Sequence, residues 1–193
     1  MFTAKNFNIG QLSGVSTKNI EEHLKLYAGY VTHTNLVLEK IRELSSEAEK
    51  NMGLISGLQR RLGFEYNGMR NHEVYFSLLE NGAQNINESG DLHKAITTQW
   101  GSFENWLVEF KAIATTRGVG WAMLYYDKTE GKLLNAWVDE QHIGQLQNCK
   151  LIIALDMWEH AFVYDYPTSE KKNYIEAFFK NLNWQVAEKR FAE

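Results

Sequence analysis

A chain of 193 residues is long enough to bury a full core, and suits one domain or two small layers sharing an interface. Its net charge of −4 comes without any basic block, which argues against nucleic acid as a partner, and no apolar run is long enough to span a bilayer. The single cysteine, Cys149, excludes an intramolecular disulfide framework and a multi-thiolate metal site.

In chain order, the N-terminal residues show no basic segment followed by an apolar one, so no secretory signal is read and a cytoplasmic protein is expected. Residues 17–44 carry apolar and aromatic positions at helical spacing, with Ser16 as the N-cap. A second helical pattern covers 53–79, and the segment around Ser45 and Ser46 joins the two as an antiparallel hairpin. Residues 81–90 are rich in Asn and Gly and mark a boundary between an N-terminal α domain, 1–85, and a C-terminal domain, 86–193. Beyond it, 92–98 and 102–116 read as helices, and 121–127 with 131–138 as a β-hairpin. The apolar run 151–155 supplies a third strand, and 173–188 closes the chain as a helix. The expected class is α+β: a long helical hairpin, then a three-stranded antiparallel sheet flanked by helices. One proline, Pro167, leaves the helices uninterrupted, and 13% aromatic residues, six of them Trp, imply a core built on large rings.

The stretch Asp156-Met157-Trp158-Glu159-His160-Ala161 follows the third strand directly. A carboxylate at a strand end and an imidazole four residues on can converge on one metal ion. Oxygen and nitrogen donors of this kind suit manganese or iron, whereas a soft metal would want sulfur. Five other histidines differ in context. His23, Tyr27 and Tyr30 sit at i, i+4 and i+7 on one helical face, and His72 lies in Asn71-His72-Glu73 on the second helix. His33, His93 and His142 lack such support and read by default as surface or loop imidazoles.

The segment from Asp156 resembles the D-x-W-E-H-A signature of the iron/manganese superoxide dismutases. Residues 15–23 are similar to that family's approach to its first ligand, and Asn71-His72 to its second. Gly118-Val119-Gly120-Trp121 is similar to its G-S-G-W element, and Asn183-Trp184 to its terminal N-W. The likeness spans roughly 10–190 in the family's order. The resemblance implies four metal ligands, His23, His72, Asp156 and His160, completed by a solvent molecule and holding one manganese or iron ion per subunit. It also implies Trp121 and Trp158 walling the metal, and Glu159 reaching a metal-bound His of a partner subunit in a homodimer or homotetramer. The implied activity is conversion of superoxide to dioxygen and hydrogen peroxide. The competing reading is a catalytically silent homologue serving as a structural or interaction module.

Around those ligands the chain departs from the family. The first helix of the family usually reads H-x-x-x-H-H-x-x-Y, whereas here Tyr27 stands at i+4 and Val31 at i+8. Loss of a one-residue π-bulge would keep Tyr30 facing the metal, which makes Tyr30 the expected active-site tyrosine and Tyr27 a gateway substitute or competitor. Val163 stands where a partner tyrosine is customary, with Tyr164 next. Gly68 occupies the position of the glutamine that iron types carry on the second helix. Gln141 or His142, after the second strand, is then the group that bonds metal-bound solvent, and the Gly68/Gln141 combination leans to manganese. Lys25 and Lys171 are candidates for steering an anion, or solvated surface charges.

Overall fold

The computed structural model describes residues 1–193. Helix α1 spans Thr17–Leu44, and Ser16 caps it: its Oγ accepts the Asn19 N–H at 3.1 Å. A single 3₁₀ turn, Ser45–Glu47, reverses the chain into α2, Ala48–Ser77. Helix α2 therefore begins five residues before the expected start at 53, because a polar first turn can be helical without joining the apolar stripe that marks a helix in sequence. The two long helices pack antiparallel, so the start of α1 lies against the end of α2. An N-terminal strap runs over them. Phe2 and Asn35 exchange two hydrogen bonds, 2.7 and 2.8 Å, and Lys5 N–H donates to the Tyr27 hydroxyl at 2.9 Å.

After the loop come α3, Asp91–Trp100, and α4, Phe103–Ala114, the latter capped by Ser102 as its N-cap. Strands β1, Gly120–Asp127, β2, Lys132–Asp139, and β3, Cys149–Asp156, form one antiparallel sheet in the order β2-β1-β3. The centre of β1 and the end of β3 are buried on both faces, which explains their continuous apolar sequences. Register places Trp121 beside Asp156 on one side and Val138 on the other. Gly120 has to be glycine, since a Cβ there would collide with the Val138 carbonyl oxygen.

The helix expected over 173–188 is two helices, α5, Lys171–Asn181, and α6, Trp184–Ala192. Helical periodicity continues through the break, but tertiary hydrogen bonds divide it. Leu182 turns extended and its carbonyl accepts Gln84 N–H, while Asn183 N–H donates to Leu78 O at 2.7 Å. The Asn183 side chain donates to Glu80 O and caps α6 by accepting Gln185 N–H. The exit from α2 is thereby stitched to the junction of α5 and α6. Trp106, Phe110, Trp121 and Phe178 form the fully buried centre of the core.

Candidate metal centre

Four side chains from four elements converge where the helical hairpin meets the end of β3. His23 comes from α1, His72 from α2, Asp156 from the last position of β3, and His160 from the 3₁₀ turn Glu159–Ala161. Their donor atoms all lie within 4.8 Å of one another. Asp156 is held from behind, because its Oδ1 accepts the Trp158 N–H at 2.8 Å. Its Oδ2 faces three imidazoles: the Nε2 atoms of His160, His23 and His72 lie 3.1, 3.2 and 3.4 Å away.

His72 shows that this cluster fits a cation. Its Nδ1 donates to the Gly68 carbonyl at 2.6 Å, which puts the proton on Nδ1 and leaves a lone pair on Nε2. That Nε2 is buried without a hydrogen-bond partner and points at a carboxylate oxygen. Two buried acceptors so close together repel unless a positive ion lies between them. Protonation follows the same logic. Burial, with His23 nearby, pushes His72 down to about 3, and burial likewise lowers His23. Burial alone would raise Asp156, yet His160 and His23 hold its carboxyl well below the usual carboxylate range. At neutral pH the set presents one carboxylate and neutral imidazoles at His23 and His72, the forms that bind metal.

Aromatic rings enclose the cluster. Trp121 packs edge-on to His72 with ring centroids 5.0 Å apart, Trp158 stacks on His160 at 5.7 Å, and Tyr75 and Phe76 pack on His23. Trp121 Nε1 donates to Gln141 Oε1 at 2.9 Å, and Gln141 Nε2 donates to the Tyr30 hydroxyl at 2.9 Å. Gln141 is fully buried, and Asn71 Nδ2 fixes its main-chain carbonyl at 2.9 Å. Burial and the charges of Asp156 and Glu65 push the Tyr30 phenol above its ordinary value.

Of the paired alternatives, this hydrogen-bonded chain contains Tyr30 and Gln141, and neither Tyr27 nor His142. Viewed down α1, Tyr27 lies about 40° to one side of His23 and Tyr30 about 20° to the other. Tyr27 accordingly turns to the N-terminal strap, where its hydroxyl accepts from Lys5 N–H and donates to Glu73 at 3.4 Å. His142 packs against Gly63 and Phe64, with its Nδ1 unpartnered. Glu159, Val163 and Tyr164 are exposed. Lys171 donates to Thr116 O at 2.8 Å, and Lys25 pairs with Glu22 at 2.9 Å.

A cavity of about 380 Å³ opens beside the cluster, and its walls include Leu26, Tyr30, Arg61, Glu65 and His160. Sequence reasoning missed Leu26, Arg61 and Glu65. The available signal was angular: Leu26 falls on the Tyr30 side of α1, and Glu65 sits seven residues before His72 on the same face of α2.

The sequence also matches known proteins along its length. The profile of the C-terminal domain of iron/manganese superoxide dismutases matches residues 88–190. An iron superoxide dismutase from Cupriavidus metallidurans is 36% identical over 185 residues, covering 94% of this chain and 91% of that protein. One from Aquifex aeolicus is 34% identical over 185 residues, with 93% and 85% covered. A manganese superoxide dismutase from Mycolicibacterium smegmatis is 31% identical over 191 residues, with 97% and 90% covered. Similarity of this extent, to iron and manganese proteins alike, makes the chain a member of the iron/manganese superoxide dismutase family.

Proposed function

We propose that the protein dismutes superoxide: two superoxide anions and two protons become dioxygen and hydrogen peroxide. One iron or manganese ion per subunit is held by His23, His72, Asp156 and His160. The observation that carries this reading is the set of three imidazole Nε2 atoms around one carboxylate oxygen, with the His72 lone pair facing inward. The ion supplies one-electron exchange between successive superoxide anions. Neutral imidazoles and one carboxylate offset only part of its charge, so the site attracts an anion although the chain as a whole is acidic.

The remaining roles belong to side chains around that set. Trp121 and Trp158 exclude bulk water. Gln141 bonds metal-bound solvent, and its hydrogen bonds to Trp121 and Tyr30 support that role over one for His142. Tyr30 holds a proton at the mouth of the site, in keeping with its raised phenol. Glu159 acts across a subunit boundary in a homodimer or homotetramer. Its exposure, together with exposed apolar Val163 and Tyr164, supports this. Residues 1–85 and 86–193 are two structural units, and the location is cytoplasmic. Gly68 favours manganese, because even a Cβ there would lie 2.5 Å from the Tyr30 ring, leaving no space for a glutamine from α2.

Purified protein loaded separately with each ion, assayed for dismutation and for metal content, tests the reading. Activity with one equivalent of manganese or iron is expected. One equivalent of metal with no activity from either ion would falsify it. Sedimentation of wild type and Glu159→Ala tests the subunit contact: the variant should dissociate, and an unchanged assembly removes Glu159 from it.

A further inference from the structure

Away from the metal cluster, a cavity of about 520 Å³ lies between the two halves of the chain. One wall comes from the N-terminal strap and α2, with Lys5, Arg70 and Glu73. The other comes from α6, β3 and the loop before it, with Arg190, Cys149 and Leu146. A cavity of this size suits a small organic molecule, and such pockets favour the junction between structural units. None of His23, His72, Asp156 and His160 lines it, so what it binds is a separate question from the chemistry at the metal.

The walls carry three cations, Lys5, Arg70 and Arg190, against two carboxylates, Glu73 and Glu80. That is an excess of one positive charge on a chain whose net charge is −4. Lys5 Nζ and Arg70 Nη1 share Glu73 Oε2, at 2.7 and 2.9 Å. Glu80 accepts the Asn8 N–H at 2.8 Å and pairs with no cation. Arg190 pairs with no carboxylate. The acids on either side of it in the chain are engaged elsewhere: Glu188 accepts the Asn87 N–H at 2.6 Å, and Glu193 pairs with Lys150 at 2.8 Å. Arg190 instead donates from Nε and Nη2 to one acceptor, the Leu151 carbonyl, at 3.0 and 2.8 Å. Nη1 and the second hydrogen of Nη2 remain as a planar fork whose spacing matches a carboxylate. Burial lowers this guanidinium, with Glu193 opposing, and an anion beside it would offset the cost of that burial.

We propose that this cavity binds a small organic anion, its carboxylate on the Arg190 fork and its apolar body against Phe7, Val74 and Leu146. One negative charge neutralises the excess carried by the walls. A neutral or cationic molecule of the same shape leaves Arg190 without a counter-charge. A bare inorganic anion leaves most of the cavity unfilled and the apolar wall residues uncovered. The chain supplies its own reporter of occupancy, because its single cysteine, Cys149, is half-buried and lines the same cavity.

The test uses benzoate as the probe, with benzyl alcohol and benzylamine as its neutral and cationic counterparts, on the full-length metal-loaded protein. Equilibrium dialysis should show one benzoate bound per chain, with both counterparts at least about tenfold weaker. Benzoate should slow alkylation of Cys149 by iodoacetamide, a neutral reagent, with the same midpoint as binding. Arg190→Gln should weaken binding about tenfold or more at unchanged metal content. Leu146→Trp narrows the cavity without touching Arg190, so it tests the site independently of any loss of stability in Arg190→Gln, and it should abolish binding. No saturable binding of benzoate overturns the proposal, as does benzyl alcohol binding equally well. Binding that is unchanged in Arg190→Gln and Leu146→Trp, or that leaves Cys149 alkylation unslowed, places the anion elsewhere, at the metal for instance, and also overturns it. None of these readouts depends on turnover, so the dismutase reading and this site stand or fall separately.

Discussion

Gly68→Ala tests how the active-site phenol is positioned. A Cβ at residue 68 would sit 2.5 and 2.6 Å from Tyr30 Cδ1 and Cε1, and 3.0 Å from Cγ. Ordinary carbon contacts need at least ~3.5 Å, so the ring has to retreat by about 1 Å. Tyr30 lines the cavity beside the cluster, and retreat into it takes the hydroxyl away from Gln141 Nε2, now 2.9 Å from it. Overpacking costs about 2 kcal/mol and the lost hydrogen bond about 1 kcal/mol, while better helix propensity returns about 1 kcal/mol. A net loss of about 2 kcal/mol should lower the melting temperature by roughly 4–8 °C in a chain of this size. The effect on turnover should be disproportionate, about 100-fold, because a 1 Å misplacement near the reacting groups is expensive. Metal content should stay at wild-type level, since the variant keeps the Gly68 carbonyl that holds His72. Gly57→Ala on the same helix is the control. Nothing lies within 4 Å of its Cβ, so it should stabilise by about 1 kcal/mol and leave turnover alone. Wild-type turnover in Gly68→Ala would refute the claim that this glycine sets the position of Tyr30.

His72→Ala removes one donor and leaves Asp156 facing two imidazoles; metal retained after dialysis against chelator should fall below one tenth of an equivalent, and unchanged content would remove His72 from the ligand set. Trp121→Phe keeps a ring in the core but leaves Gln141 Oε1 buried and unpartnered, which should cost about 1–3 kcal/mol in a denaturant titration and reduce turnover more than metal content. Asn183→Ala deletes the α6 cap and the bond to Glu80 O, with an expected loss of about 1–2 kcal/mol and no change in metal binding.

Much of the fold was legible because its signals are local. Ser16 announces the start of α1, alternating and continuous apolar runs mark the strands, and the Asp156–His160 spacing marks two of the converging side chains. What stayed hidden depends on distant partners. The break at Leu182–Asn183 exists because the segment Leu78–Gln84 claims its backbone groups, and no local preference reports that. Tyr27 and Tyr30 look equivalent by spacing, yet about 60° of helix rotation sends one hydroxyl to the N-terminal strap and the other to Gln141. Glu65 was invisible for a related reason. In sequence it is one more charged residue on a polar helix, and only packing of α1 against α2 makes it a buried acid.

The converging side chains are divided between the two halves of the chain, two on the helical hairpin and two following the sheet. An ion bound by all four therefore joins the halves, and its binding energy becomes part of the stability of their interface. The interface does not depend on the ion alone. Leu78, Glu80 and Gln84 hydrogen-bond to Leu182, Asn183 and Trp184 on one side of it. On the other, the Asp165 carboxylate accepts from Ser16 N–H at 2.9 Å and Asn19 Nδ2 at 3.1 Å, tying the loop after His160 to the first turn of α1. These ties hold the first turn of α1, which leads to His23, against the loop that follows His160. Bonds of this kind, made away from the donor set, help hold its four side chains together, so the fold and a bound ion would share the cost of bringing buried lone pairs close.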